Sequence, residues 1–175
     1  MTVADELLTR FRWVDGHADI WRLFVDGEFF ARMIAALADP FRPGAITKVA
    51  GIEARGFIVG GAVAGELHAG FVAIRKEGGL FPGEKLRQET LPDYRGNATT
   101  LQLQRSSLGP DDRVLLVDDW FETGSQALTA KSLIGAAGAV FVGASVIVDQ
   151  LDPEIRPLLG QFSALVHSDA LGPSV

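Results

Sequence analysis

The chain has 175 residues, enough for one domain with a sizeable core and too few for two large ones. Hydrophobic residues at 47% and charged residues at 22% exclude a disordered or fibrous chain, and the absence of cysteine excludes disulfides, thiolate metal sites and cysteine nucleophiles. Sixteen Lys and Arg against 22 Asp and Glu leave a net charge of -6, so the surface as a whole repels nucleic acid and anionic membrane, and any anion must be held by a local group of donors.

The opening MTVADELLTRFRW lacks a basic stretch followed by an apolar run, so no secretory signal is expected and the cytoplasm is the expected compartment. Residues 4–11 place Leu7, Leu8 and Phe11 at helical spacing, and residues 28–38 repeat the pattern with Phe29, Phe30, Met33, Ile34 and Leu37. Trp13, Trp21 and the nearby phenylalanines are read as core rather than as a stacking platform. Pro40 and Pro43 interrupt the chain, residues 46–52 read as a short buried strand, and a turn at Glu53-Ala54-Arg55-Gly56 leads into a helix over residues 57–67. The small, apolar start of that helix meets Glu66 far short of the roughly 20 residues needed to span a bilayer. His68 ends it and is read as a cap.

Residues 71–74 are a second strand, and residues 75–97, rich in charge, Gly and Pro, read as an aperiodic surface excursion. Residues 99–103 alternate weakly as a strand closing the excursion. The clearest strand is 113–117, apolar throughout as a strand covered on both faces must be. Behind it, residues 125–137 predict a helix with Leu128, Ser132, Leu133 and Ala136 inward, followed by a strand at 140–148 and a short apolar run at 162–166. Strands alternating with helices predict an α/β domain with a mostly parallel sheet and right-handed crossovers.

In such a sheet ligands bind beyond the carboxyl ends of the strands, and three places stand out there. The first is Asp118-Asp119-Trp120-Phe121-Glu122-Thr123-Gly124-Ser125-Gln126. Adjacent carboxylates at a strand exit point to different sides, and the loop behind them opens a helix whose free N–H groups suit a phosphate. Carboxylates cannot bind phosphate, but they accept hydrogen bonds from vicinal hydroxyls or hold Mg²⁺ through water, so the pair plus the anion loop points to a ribose 5-phosphate. The other reading of the pair is as a helix cap.

The second place is Gly51-Ile52-Glu53-Ala54-Arg55-Gly56, where glycines permit close backbone approach and Arg55 offers a bidentate anion grip; a solvated turn is the alternative. The third is Arg75-Lys76, two cations able to neutralise a polyphosphate, followed by a Gly-rich stretch able to close as a lid; an exposed basic pair is the alternative. A P-loop, a dinucleotide fingerprint and a nucleophile elbow are all missing, and His17, His68 and His167 do not form a metal-ligand spacing.

Three segments, VAGIEARGF at residues 49–57, FVAIRKEGGLFPGEKL at 71–86 and VLLVDDWFETGSQ at 114–126, resemble in order and approximate spacing the purine phosphoribosyltransferases of the type I fold, and among them most closely the adenine phosphoribosyltransferases. The similarity covers about residues 15–148. It implies a single domain with a central, mostly parallel sheet flanked by helices, a small N-terminal hood over about residues 1–30 and a flexible lid loop over about residues 76–98.

The resemblance also implies a reaction in which a purine nitrogen displaces pyrophosphate from 5-phosphoribosyl 1-pyrophosphate, with inversion at C1. Asp118 and Asp119 would hold the ribose hydroxyls, and Glu122, Thr123, Gly124, Ser125 and Gln126 would wrap the 5-phosphate. Glu53, Ala54 and Arg55, with Arg75 and Lys76 beside them, would receive the pyrophosphate. Mg²⁺ would be carried mainly by the substrate, with no direct protein ligand, and the protein would be a homodimer.

The chain departs from the family pattern at several positions. Glu122 stands where the family has Ala, and Ser125-Gln126 where it has a small residue and Thr. Asp93-Tyr94-Arg95-Gly96 stands for Glu-Tyr-Gly in the lid, making Asp93 the expected handler of the purine N7 proton. His17-Ala18 falls on the hood position whose aromatic ring stacks on the base. Adenine is the favoured base; xanthine or hypoxanthine-guanine transfer, and a non-catalytic sensor of the phosphoribosyl donor, are the alternatives. An unrelated phosphohydrolase using Asp118 would release inorganic phosphate instead of pyrophosphate.

Overall fold

The computed structural model describes residues 1–91 and 98–173. Helix α1 (Val3–Arg10) is started by a capping box in which Thr2 and Asp5 exchange side-chain to backbone hydrogen bonds. A two-stranded hairpin follows, β1 (Trp13–Val14) and β2 (His17–Ala18), turned by Asp15 and Gly16 with φ of 49° and 74°. Positive φ at both central residues is the tight turn whose twist matches a hairpin, and Asp-Gly is its preferred sequence. Helix α2 (Gly27–Ala38) buries Phe29, Met33, Ile34 and Leu37, as their spacing requires.

The remaining strands are β3 (Lys48–Ile52), β4 (Gly70–Lys76), β5 (Lys85–Glu89), β6 (Thr100–Gln104), β7 (Arg113–Phe121), β8 (Val140–Asp149) and β9 (Gln161–His167). Helix α3 (Arg55–Glu66) joins β3 to β4, and α4 (Ser125–Ala136) joins β7 to β8. The seven strands are ordered β5-β6-β4-β3-β7-β8-β9. Neighbours β4, β3, β7, β8 and β9 pair in parallel, whereas β6 runs antiparallel to β4 and β5.

Period-2 alternation sends Leu115 and Val117 of β7 into a core shared with Val59 and Val63 of α3 and with α1 and α2. Val114 and Leu116 face the opposite core, with Ala130, Leu133 and Ile134 of α4. Each fully buried Leu or Val contributes on the order of 2 kcal/mol. The parallel topology carries the ends of β3, β4, β7 and β8 to one edge. The N-terminal hairpin reaches the same edge because α1 and α2 pack on the outer face of that half of the sheet. No helix among the described residues is long and apolar enough to cross a membrane.

Three expectations are corrected and two are extended. The strand expected at 113–117 continues to Phe121, because β8 is long enough to pair Trp120 with Val148 and Phe121 with Asp149; both aspartates therefore lie in the strand rather than after it. The aperiodic excursion contains β5, fully paired with β6, whose lone apolar residue Leu86 gives almost no periodic signal. Its approach is pinned by β6 side chains, Gln102 Nε2 donating to the Gly79 carbonyl at 2.7 Å and Gln104 Nε2 to that of Pro82 at 3.1 Å.

On α4 the expected Leu128 and Leu133 do face the core, joined by Ala127, Ala130 and Ile134, whereas Ser132 and Ala136 are exposed. The run at 162–166 is β9, a parallel edge strand on β8. His68 does terminate α3, but through its backbone in the left-handed region, φ 55°, with its N–H donating to Gly65.

Candidate active site

The strand ends and the hairpin enclose a cleft of about 850 Å³. Its floor is the end of β7. Asp118 is buried, and its carboxylate lies against Gly56 so closely that a Cβ there would stand 2.8 Å from Oδ1. The close approach of α3 thus requires glycine at that position. Burial, reinforced by the negative charge of Asp119, pushes the Asp118 carboxyl well above the usual carboxylate range. Its Oδ1 accepts the Asp119 backbone N–H at 2.9 Å. Asp119 Oδ2 lies 2.8 Å from Arg55 Nε, yet the N–H is not aligned with it, so this buried oxygen has charge compensation without a hydrogen bond.

Beyond Phe121 the chain turns through Glu122 and Thr123, both exposed, to Gly124, whose φ of 77° sets the start of α4. A Cβ at Gly124 would come within 2.7 Å of Ile155 and 3.0 Å of Leu151, so the loop after β8 buttresses this turn from behind. The first turn of α4 opens toward the cleft, and the Ser125 N–H at its start donates only to the hydroxyl of its neighbour Thr123, at 3.3 Å. The Ser125 hydroxyl is committed elsewhere, donating to the Leu91 carbonyl at 2.7 Å and tying the end of the β5 segment to the loop.

On the opposite wall the Glu53–Ala54 peptide is cis. Glu53 accepts from Arg75 at 2.9 Å and from the Lys76 backbone N–H at 3.1 Å, and the Arg75 guanidinium holds its carboxyl below the usual range. Glu53, Ala54, Arg55 and Lys76 line the cleft. Arg75 does not: between Glu53 and the Leu80 carbonyl its guanidinium is committed to the wall itself.

The hairpin supplies the roof. His17 and Ala18 line the cleft, together with Trp13 and Trp21. Trp21 is 51% exposed, which overturns its reading as core; it follows the hairpin on a short turn that lies over the opening instead of inside the helical layer. Trp13 is half-buried, packs edge-on to Trp120 with centroids 6.2 Å apart, and donates its indole N–H to Gly172. Trp120 in turn donates to the Gln150 amide oxygen at 2.8 Å. Trp120, which sits inside the 118–126 run but was given no role of its own, and Gln150, which belongs to none of the sequence motifs, also line the cleft. Asp93 lies outside the described residues.

The arrangement offers hydroxyl-accepting carboxylates, an anion loop one turn away, a cationic wall and an aromatic roof. No family model matches the chain. An adenine phosphoribosyltransferase of Dinoroseobacter shibae is 43% identical over 150 residues, 86% of this chain and 82% of that protein. The crystal structure of the adenine phosphoribosyltransferase of Rhodothermus marinus superposes with a TM-score of 0.82 at 30% identity, covering 94% of this chain and 98% of that one. The Giardia lamblia enzyme, crystallised with 9-deazaadenine, gives a TM-score of 0.85 at 28% identity over 96% and 98% of the two chains.

Proposed function

The chain belongs to the adenine phosphoribosyltransferase family, and from that premise we propose that it joins adenine to the 5-phosphoribosyl group of 5-phosphoribosyl 1-pyrophosphate in purine salvage. The C1–oxygen bond to pyrophosphate breaks with its electron pair leaving on the pyrophosphate, the bond from the purine nitrogen to C1 forms with inversion, and the base gives up a proton. The observation that carries this reading is the Asp118–Asp119 pair at the end of β7, set directly before the Gly124 turn and the N-terminus of α4 in one cleft.

Asp118 and Asp119 accept hydrogen bonds from the two ribose hydroxyls. The 5-phosphate sits on the backbone N–H groups from Thr123 to Gln126, with Glu122 exposed at the rim of the same cleft. Arg55 moves from Asp119 to the pyrophosphate, which Lys76 also meets, while Arg75 acts through Glu53 by fixing the wall. The base lies under the hood against His17 and Trp21. Catalysis is then mainly positioning, stabilisation of the departing charge and exclusion of water.

The family's divalent metal fits these residues, since buried Asp119 Oδ2 lacks a hydrogen-bond partner and Asp118 lies beside it. Mg²⁺ would be held through water by these carboxylates and mainly by oxygens of the donor, where it would supply charge neutralisation of the pyrophosphate. A homodimer is supported by the apolar outer face of α3 and β4, where Ile58 and Phe71 are 41% and 38% exposed and Phe57 packs edge-on to Phe71. The cytoplasm is the proposed compartment.

The test is product analysis with purified protein, Mg²⁺, the phosphoribosyl donor and adenine, hypoxanthine, guanine, xanthine or no base. Adenosine monophosphate and pyrophosphate in equal amounts, in the adenine arm, are expected. Donor binding by calorimetry with no turnover on any base would establish a sensor instead, and inorganic phosphate as the product a hydrolase.

A further inference from the structure

Gln150 is the first residue beyond β8 and is fixed twice. Its backbone N–H donates to the Phe121 carbonyl at 2.9 Å, continuing the sheet by one bond, and its Oε1 accepts from the Trp120 indole at 2.8 Å. An indole N–H can only donate, so the amide oxygen must face Trp120, and the two protons on Nε2 are left for a ligand. Gln150 is exposed and lines the same cleft as Trp13, His17 and Trp21.

The supports on either side are rigid. Trp120 is held edge-on by Trp13 of the hood. The chain after Gln150 is tied back by Asp149, whose carboxylate accepts the Leu151 N–H at 2.9 Å and lies 2.6 Å from Arg156 Nε. Leu151 and Ile155 of the same loop buttress Gly124. One loop therefore braces the phosphate turn and carries an oriented amide at the roofed end of the cleft.

On the reading of the cleft given above, we propose that Gln150 is a base-binding donor and Trp120 its positioning residue, the pair setting which edge of a purine the cleft accepts. N3 and the imidazole ring are alike in the two purine classes, but at N1 adenine presents a free lone pair, which an N–H donor matches. A 6-oxopurine presents a protonated ring nitrogen at N1, which an amide with its oxygen turned to Trp120 cannot accept. The specificity lies in the direction in which Trp120 holds the amide, since a freely rotating glutamine could serve either base.

Steady-state kinetics with adenine and hypoxanthine, varying base and donor separately, test this. Gln150→Glu keeps an acceptor for the indole and nearly the same volume but turns oxygen toward the base. It should raise KM for adenine about tenfold and leave KM for the donor within about twofold, the loss of one neutral hydrogen bond or slightly more. Gln150→Leu should do the same. Trp120→Phe should raise KM for adenine about threefold and narrow the preference for adenine over hypoxanthine, and combining it with Gln150→Leu should add no further narrowing.

An unchanged KM for adenine in Gln150→Glu, or equal rises for base and donor, would overturn the proposal while wild-type turnover left the reaction itself standing. A wild-type protein that releases pyrophosphate with no purine would overturn the reading of the cleft and this proposal with it.

Discussion

The two ends of the cleft are built in opposite ways. The end proposed to take the ribose phosphate comes from one run of chain, Asp118 and Asp119 followed by residues 122–126, going from a buried strand through a left-handed glycine into a helix. The roofed end is assembled from Trp13, His17, Trp21, Trp120 and Gln150, which meet only because the hairpin folds over the sheet and β7 and β8 extend side by side. The first end is held by backbone geometry and charge, the second by indole hydrogen bonds and edge-on aromatic contacts. Damage to the first should therefore strike the sugar-phosphate donor, and damage to the second the base.

The largest expected effect is at the first end. Asp119→Asn should lower kcat/KM for the donor about 100-fold with the thermal midpoint preserved, because a carboxylate is lost where hydroxyls and charge are held; steady-state kinetics beside a thermal melt measure both. Gly124→Ala should cost on the order of 2 kcal/mol in urea unfolding, from left-handed strain and from the methyl meeting Ile155. It should also weaken the donor more than the base.

Trp21→Ala should raise KM for adenine roughly tenfold, as loss of a base-stacking ring does. Because that ring is already half exposed, stability should move by no more than about 0.5 kcal/mol. An equal loss of donor affinity would break the division between the ends.

The smallest effect concerns stability. Asp118 has a raised pKa in the folded state, so the folded protein binds more protons than the unfolded chain from the ordinary value of 3.8 upward. Stability is thus lost as pH rises from there through the raised folded value. Asp118→Asn should remove this slope, raising the melting midpoint of the ligand-free protein at neutral pH by about 3 °C. A midpoint equal to or below wild type would show that the carboxylate pair carries no such cost.

The same contrast explains what could be read from the residues alone. The apolar run of β7, the amphipathic spacing of α2 and the Asp-Asp to Thr-Gly-Ser succession are local patterns, and each was read in place. Strand β5 was missed because Leu86 is its only apolar residue and its partner, β6, defines it. The Asp15-Gly16 turn did carry a local hairpin signal; two-residue strands on either side were too short to show alternation. Trp21 looked like core because aromatic residues usually are, and only the position of its turn over the cleft makes it a wall. Trp120 and Gln150 are 30 residues apart and become a pair only through the β7–β8 register. The commitment of Arg75 to Glu53 and of Ser125 to Leu91 likewise exists only in the folded chain.

The most direct test of the two-ended cleft is calorimetric titration of ribose 5-phosphate into wild-type protein, Asp119→Asn and Trp21→Ala, each shown to be folded by its thermal melt. The account predicts that Asp119→Asn loses binding at least about tenfold while Trp21→Ala binds as wild type does. Equal loss in both variants, or undiminished binding by Asp119→Asn, would contradict it.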